Sequence, residues 1–307
     1  MPTARRAEPG AAGNPLRRLI QSQVRALVGT APGPDDGKPA EDVGFFGPDA
    51  VCWKVHGDFT TMMIGGVTAL LLHMLHPGAL AGVWDHSDFR QNMHGRLGRT
   101  AQFVAGTTYG SRATAEALIA RVLTIHDGVH GRRPDGTAYS AHDPDLISWV
   151  HVAEVTSFLR AYLRYRDPAL PLADQNRYFR ETATIAIRLG APAPPQSWTE
   201  IEAYVARVRS DLRADDRTRT VAQILLSQST PSPALAPFAD LIFRAARDLL
   251  PDWAAEQHGF ARSPSPINRL AVIAVDRVVR WGLPNSVEVR ARRRAADLAD
   301  RLPRALA

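Results

Sequence analysis

The chain has 307 residues, 45% of them hydrophobic, and a net charge of +6, enough apolar material for a large buried core and too much for a disordered chain. The positive charge is almost wholly arginine, with only Lys38 and Lys54 as lysines, and no basic stripe interleaved with aromatics marks a nucleic-acid footprint. A single cysteine, Cys52, excludes an internal disulfide and any cysteine-rich zinc site.

Residues 1–42 mix Pro, Gly, Ala and charge and are expected to form a partly ordered arm, followed by one helical domain over 43–307. Within the arm, Leu16, Leu19, Ile20, Val24 and Leu27 recur at helical spacing and predict a helix over Pro15–Val28 that docks on the main body. No apolar segment with a cleavage signature follows the first arginines, so the expectation is a cytoplasmic protein. The run FFGPDAVCWKV is the only β-leaning stretch, and Gly47 and Pro48 interrupt it.

A long helix is expected over 58–75, with Asp58 as N-cap and Pro77 past its end. The stretch MMIGGVTALLLHMLHPGALAGVW carries two histidines and a proline, which favours a buried core helix over a membrane span. His73 and His76 fall at the end of the helix, where they either pack its terminus or share in a cofactor pocket.

Over 92–109, Arg96, Arg99, Thr100, Phe103 and Thr107 are spaced by three and four, which sets them on one helical face. A second helix over 111–127 carries Leu118, Ile119, Val122, Leu123 and Ile125, with His126 on the same stripe. A lone histidine there is either a core group bonded to a carbonyl or a ligand. Residues 132–142 read as a turn-rich loop around Pro134, Asp135 and Gly136. Asp143 and Pro144 then start a helix to about Tyr165 that places His151 and Glu154 on or beside its apolar face. Burying both would cost several kcal/mol without partners, so they either pair or serve a site.

The remainder continues helical: a segment ending on Gly190, a restart with Ser197 and Glu200 spaced as a capping box, and two or three further amphipathic helices. Strand alternation, internal repeats and nucleotide-binding glycine loops are absent, so the expected architecture is all-α, a single globular multi-helix domain.

Eight of the ten histidines lie in 73–151. His73 with His76, and His126 with His130, are possible zinc pairs, but cysteine partners are lacking. A di-iron bundle would need Glu-x-x-His motifs, and HVAE (151–154) has the order reversed. A haem site asks for less: one neutral imidazole facing an apolar slot, with cations for the propionates.

Three blocks, GRLGRTAQFVAGTTYG, IHDGVHGRRPDGTAYSAHDPDLISWVHVAEVTSFLRAYLRY and LLLHMLHPGALAGVWDHSDF, resemble the MpaB-type oxygenase family, to which the rubber-cleaving latex-clearing proteins also belong. The resemblance implies an all-helical fold binding one b-type haem (iron) and a dioxygen-using oxygenase acting on a small apolar, isoprenoid-like molecule. Carried over by residue, Arg96, Arg99 and Thr100 match the family's cation and threonine block and are expected in catalysis. His126 matches the histidine expected to ligate iron, with Arg96, Arg99, His151 and His130 around the cofactor. Where latex-clearing proteins can use a lysine as a second iron ligand, this chain has Arg99, which stays protonated. The glutamate proposed for rubber cleavage has no counterpart among residues 78–84. The alternatives are a haem protein without turnover, for sensing, storage or electron transfer, and a cofactor-free partner-binding protein.

Overall fold

The computed structural model describes residues 14–28, 41–230, 232–261 and 265–305. They form an all-α domain with one two-stranded hairpin as the only sheet among the described residues. The predicted arm helix is present as α1, Pro15–Val28, while residues 1–13 and 29–40 of the expected arm lie outside the described residues. Ile20 of α1 packs on Gly282, and Gln21 Nε2 donates to the Gly282 carbonyl at 3.1 Å.

The core is built on two helices, α3 (Phe59–His73) and α7 (Pro144–Tyr165), the longest-shared interface in the molecule. Asp58 caps α3 by accepting from Thr61 N at 3.0 Å. Asp143 caps α7 with Pro144 at its first position, the pairing of cap and fixed φ that favours a helix start. Glycine sets their separation. A Cβ on Gly65 would lie 2.8 Å from Phe158 Cδ1 and 2.9 Å from its Cα, so only a residue without a side chain admits this approach. At the other end His73 Nε2 donates to the Val150 carbonyl at 3.0 Å.

The membrane-like stretch is broken at 74–76 into α3 and α4 (Pro77–His86), both largely buried. Among the described residues no single helix is long and apolar enough to cross a membrane. Helix α5 (Phe89–Tyr109) leaves helical geometry at Asn92 (φ −144°) and pairs with α6 (Arg112–Asp127), capped by Ser111. Helix α8 (Leu172–Leu189) stops on Gly190 at φ 112°, as the glycine signal predicts.

Three local expectations are corrected. The β-leaning stretch contains a short helix, α2 (Val51–His56). Its first N–H groups donate to a carboxylate from α8, Val51 N to Glu181 Oε1 at 3.2 Å and Cys52 N to Oε2 at 2.9 Å, a cap that local propensity cannot report. The loop over 132–142 holds an antiparallel hairpin, β1 (His130–Arg132) with β2 (Ala138–Ser140), whose turn uses Gly136 at φ 82°. The capping box at Ser197 is half formed: Ser197 Oγ accepts from Glu200 N at 3.3 Å, but the Glu200 carboxylate accepts from Gln196 N.

The C-terminal third holds more helices than the sequence pattern resolves. After α9 (Trp198–Val208) come α10 (Asp216–Leu226), α11 (Ala236–Leu249), α12 (Asp252–Gln257), α13 (Pro266–Gly282) and α14 (Val287–Ala305). Thr68 Oγ1 ties α3 to α11 by donating to the Ala246 carbonyl at 3.0 Å. Asp276 of α13, fully buried, pairs with Arg280 at 3.0 Å beside Asp58, and burial and the Asp58 charge push its carboxyl up to about 6.

Gly65→Val should lower unfolding free energy by about 1–3 kcal/mol through overpacking, whereas Gly47→Ala, with nothing within 4 Å of the added carbon, should stay within about 0.5 kcal/mol. Urea titrations of the two variants check this, and equal stabilities would contradict it.

Candidate functional site

The residues singled out in the sequence divide between an interior region and the surface. Arg96 of α5 turns inward from the Asn92 break. Its Nη1 donates to Ser87 Oγ at 3.0 Å, and burial, then the charge of Arg99, pull its guanidinium down to about 10. The charge of Arg96 reaches His73, which places it toward α3. Arg99, one turn on, is exposed and paired with Asp88 at 3.0 Å. Thr100 is also exposed, and its hydroxyl donates to the Arg96 carbonyl at 3.3 Å. Helical spacing groups the three, but the helix presents Arg96 to the interior and the other two outward.

The histidines sort by partner. His76 is the N-cap of α4, its Nδ1 accepting from Gly78 N and Ala79 N at 3.1 and 3.4 Å. His73 and His258 are core histidines bonded to main-chain oxygens, of Val150 at 3.0 Å and Leu71 at 2.9 Å. His130 is exposed in β1, and its carbonyl lies 3.2 Å from His86 Nε2. His86 also meets Tyr139, whose hydroxyl donates to Asp85 at 2.6 Å, so this cluster fastens the hairpin to α4.

His126 and His151 behave differently. His126 is half-buried at the C-terminal end of α6, edge-on to His142 with ring centres 5.8 Å apart. Its Nδ1 is buried with no hydrogen-bond partner, and burial followed by His142 lowers its pKa. His151 is buried in α7, with its Nε2 likewise unpartnered, and burial alone pushes it down to about 4. Neither ring is bonded to a main-chain oxygen, which removes the ordinary reason for a histidine on an apolar stripe. Both are neutral at pH 7 with a ring nitrogen to offer.

Sequence reading did not single out His56. Its Nδ1 lies 2.9 Å from Thr108 Oγ1 and its Nε2 2.9 Å from Tyr178 Oη, and burial pushes it down to about 3. Only its place at the end of a β-leaning run hid it. Glu154 is displaced in the opposite sense: burial alone pushes its carboxyl up to about 7. His56, Arg96 and Glu154 are all strongly desolvated yet keep some accessible surface, as side chains facing an internal space do. Between α3, α5 and α11 runs an apolar groove, partly open to solvent, lined by Met63 and Val67 of α3, Leu97 of α5, and Phe238, Ile242 and Phe243 of α11. Among the described residues no group of three or more His, Cys, Asp or Glu side chains could hold a metal ion, which leaves the zinc pairs without support.

Residues 53–281 match the sequence profile of the family described as ER-bound oxygenase mpaB/B'/Rubber oxygenase, catalytic domain. The chain belongs to this family. No curated protein and no solved structure matches it. The match spans α3 to α13, so it includes both central helices and every histidine discussed above, and it makes the helical domain an oxygenase catalytic domain.

The titrations have opposite signs. His56, His73 and His151, held near 3 to 4 against an ordinary 6.5, bind protons more readily unfolded, so their contribution is full above pH 6.5 and is lost as pH falls toward 4. Glu154, raised from 4.5 to about 7, binds its proton more tightly when folded, so its contribution is full below pH 4.5 and is lost as pH rises through 7. Glu154→Gln should therefore gain at least about 1 kcal/mol on wild type between pH 5 and pH 8. Parallel urea curves at the two pH values test this, and a constant difference would contradict it.

Proposed function

We propose that the chain is a haem-dependent oxygenase that uses dioxygen and acts on a small apolar molecule. Family membership supports the oxygenase activity. The observation that carries the haem reading is a half-buried imidazole whose buried Nδ1 has no protein partner. An axial ligand must be a neutral ring with a free nitrogen, and His126 meets both conditions while most of its neighbours among the histidines are committed to carbonyls, caps or the hairpin.

In this reading His126 holds the iron and His151 is the second neutral imidazole of the interior. Arg96, desolvated and bonded only to a neutral hydroxyl, is the cation suited to a propionate, since a charge-assisted bond is strongest where water is excluded. Arg99 and Thr100, outward on the same turns, stand at the rim, and His130 is peripheral. Bound there, haem b supplies the dioxygen chemistry that no side chain can supply. The chain's own residues then exclude water and orient the substrate: Leu97 with Met63 and Val67 offers an apolar wall, and the neutral histidines add no charge that would oppose an apolar ligand.

Reconstitution with haem should give a Soret band that His126→Ala loses and Arg99→Ala keeps. Absence of any Soret band in wild type, or full haem content in the His126 variant, would refute the assignment. A bis-imidazole spectrum unresponsive to carbon monoxide would instead support a role without turnover.

A further inference from the structure

Glu154 is the one carboxyl in the core of α7 for which the structure provides no partner. Among the described residues it makes no hydrogen bond and no ion pair, and Tyr178 feels its charge. Its surroundings are fixed by the two ends of the α3–α7 contact. His73 faces Val150 and Gly65 faces Phe158, so Glu154 lies level with the turn of α3 that carries Gly66 and Leu70. Those two, with Met62 a turn earlier at the same spacing of four, keep accessible surface on one face of α3, as Glu154 itself does. Phe158, one turn along α7 from Glu154, stands edge-on to the His56 ring at 5.6 Å. The accessible edge of Glu154 thus faces apolar residues of α3 and, by way of Phe158, a histidine whose two nitrogens are already engaged.

We propose that Glu154 anchors a hydroxyl group on an otherwise apolar substrate, so that this oxygenase takes an aliphatic alcohol in preference to a plain hydrocarbon; the proposal deepens the oxygenase reading and rests on it. A carboxyl in an apolar space is strongly unfavourable when the ligand offers only C–H groups, and becomes favourable when the ligand brings a hydrogen bond to it. A site built around such a group discriminates sharply against the analogue that lacks the partner. Burial holds the carboxyl near neutrality in its ionisation, and in either protonation state it can accept from an alcohol O–H. No proton transfer or bond cleavage is assigned to it, so Glu154 is a specificity-determining residue.

The test is a double-mutant cycle in which the second change is made in the ligand. Octan-1-ol and octane are titrated calorimetrically into the haem-loaded protein and into Glu154→Leu and Glu154→Gln. The ratio of octane to octanol dissociation constants should fall about tenfold, or ~1.4 kcal/mol, in Glu154→Leu and change less than about threefold in Glu154→Gln. Should leucine prevent folding, Glu154→Ala gives the same comparison. An unchanged ratio would overturn the proposal, as would failure of both ligands to bind wild type. Loss of haem from Glu154→Leu without a change in ratio would assign the carboxyl to the prosthetic group and overturn it too. If wild type takes up no haem, the haem assignment falls, while the alcohol preference is still measured on the same protein.

Discussion

Everything in the interior follows from how closely α3 and α7 approach. Gly65 on α3 lets the backbone of α7 come within side-chain-free distance at Phe158, and the His73 bond to Val150 fixes the register at the far end. Once that register is set, the polar residues of α7 cannot choose where they point. His151 and Glu154 are carried inside by the same rotation that buries Trp149, Phe158 and Tyr162. A helix packed less tightly could turn them toward solvent, and the core would lose the imidazole and the carboxyl that α7 brings to it.

The interior so formed is held almost free of charge. Its histidines are neutral because protonating them without water is unfavourable, and its carboxyl at position 154 is half neutral for the same reason. Arg96 is the exception, and it keeps its charge because guanidinium loses a proton far less readily than imidazole. A desolvated cation whose charge reaches the neutral imidazole of His73 gives that part of the interior a directional field. Surface pairs such as Arg99 with Asp88 contribute little to that field, being screened by solvent.

The helical architecture was legible in the sequence wherever a local signal decided it. Asp58, Ser111, Asp143 with Pro144, and Gly190 each sit where their chemistry predicts, and the elements they bound follow within a residue or two. Legibility failed where a distant group decided. Helix α2 depends on Glu181, some 130 residues away, and the hairpin at 130–140 depends on being pinned to α4 through Tyr139 and His86. The site was half legible. Spacing identified His126, His151 and Glu154 as candidates, and the family resemblance identified Arg96. Spacing could not tell that Arg96 and Arg99, three residues and nearly one turn apart, would face different media, because the packing of α5 on its neighbours sets its rotation.

Segments far apart in the sequence meet. Gln21 bonds to Gly282, 261 residues later, and Arg292 of α14 donates to the Pro48 carbonyl, 244 residues earlier. The segment that leads into α2, and so to His56, is therefore held in place by α14. Contacts of such separation are slow to form, so the wall that carries His56 settles only after a helix more than two hundred residues further along has docked.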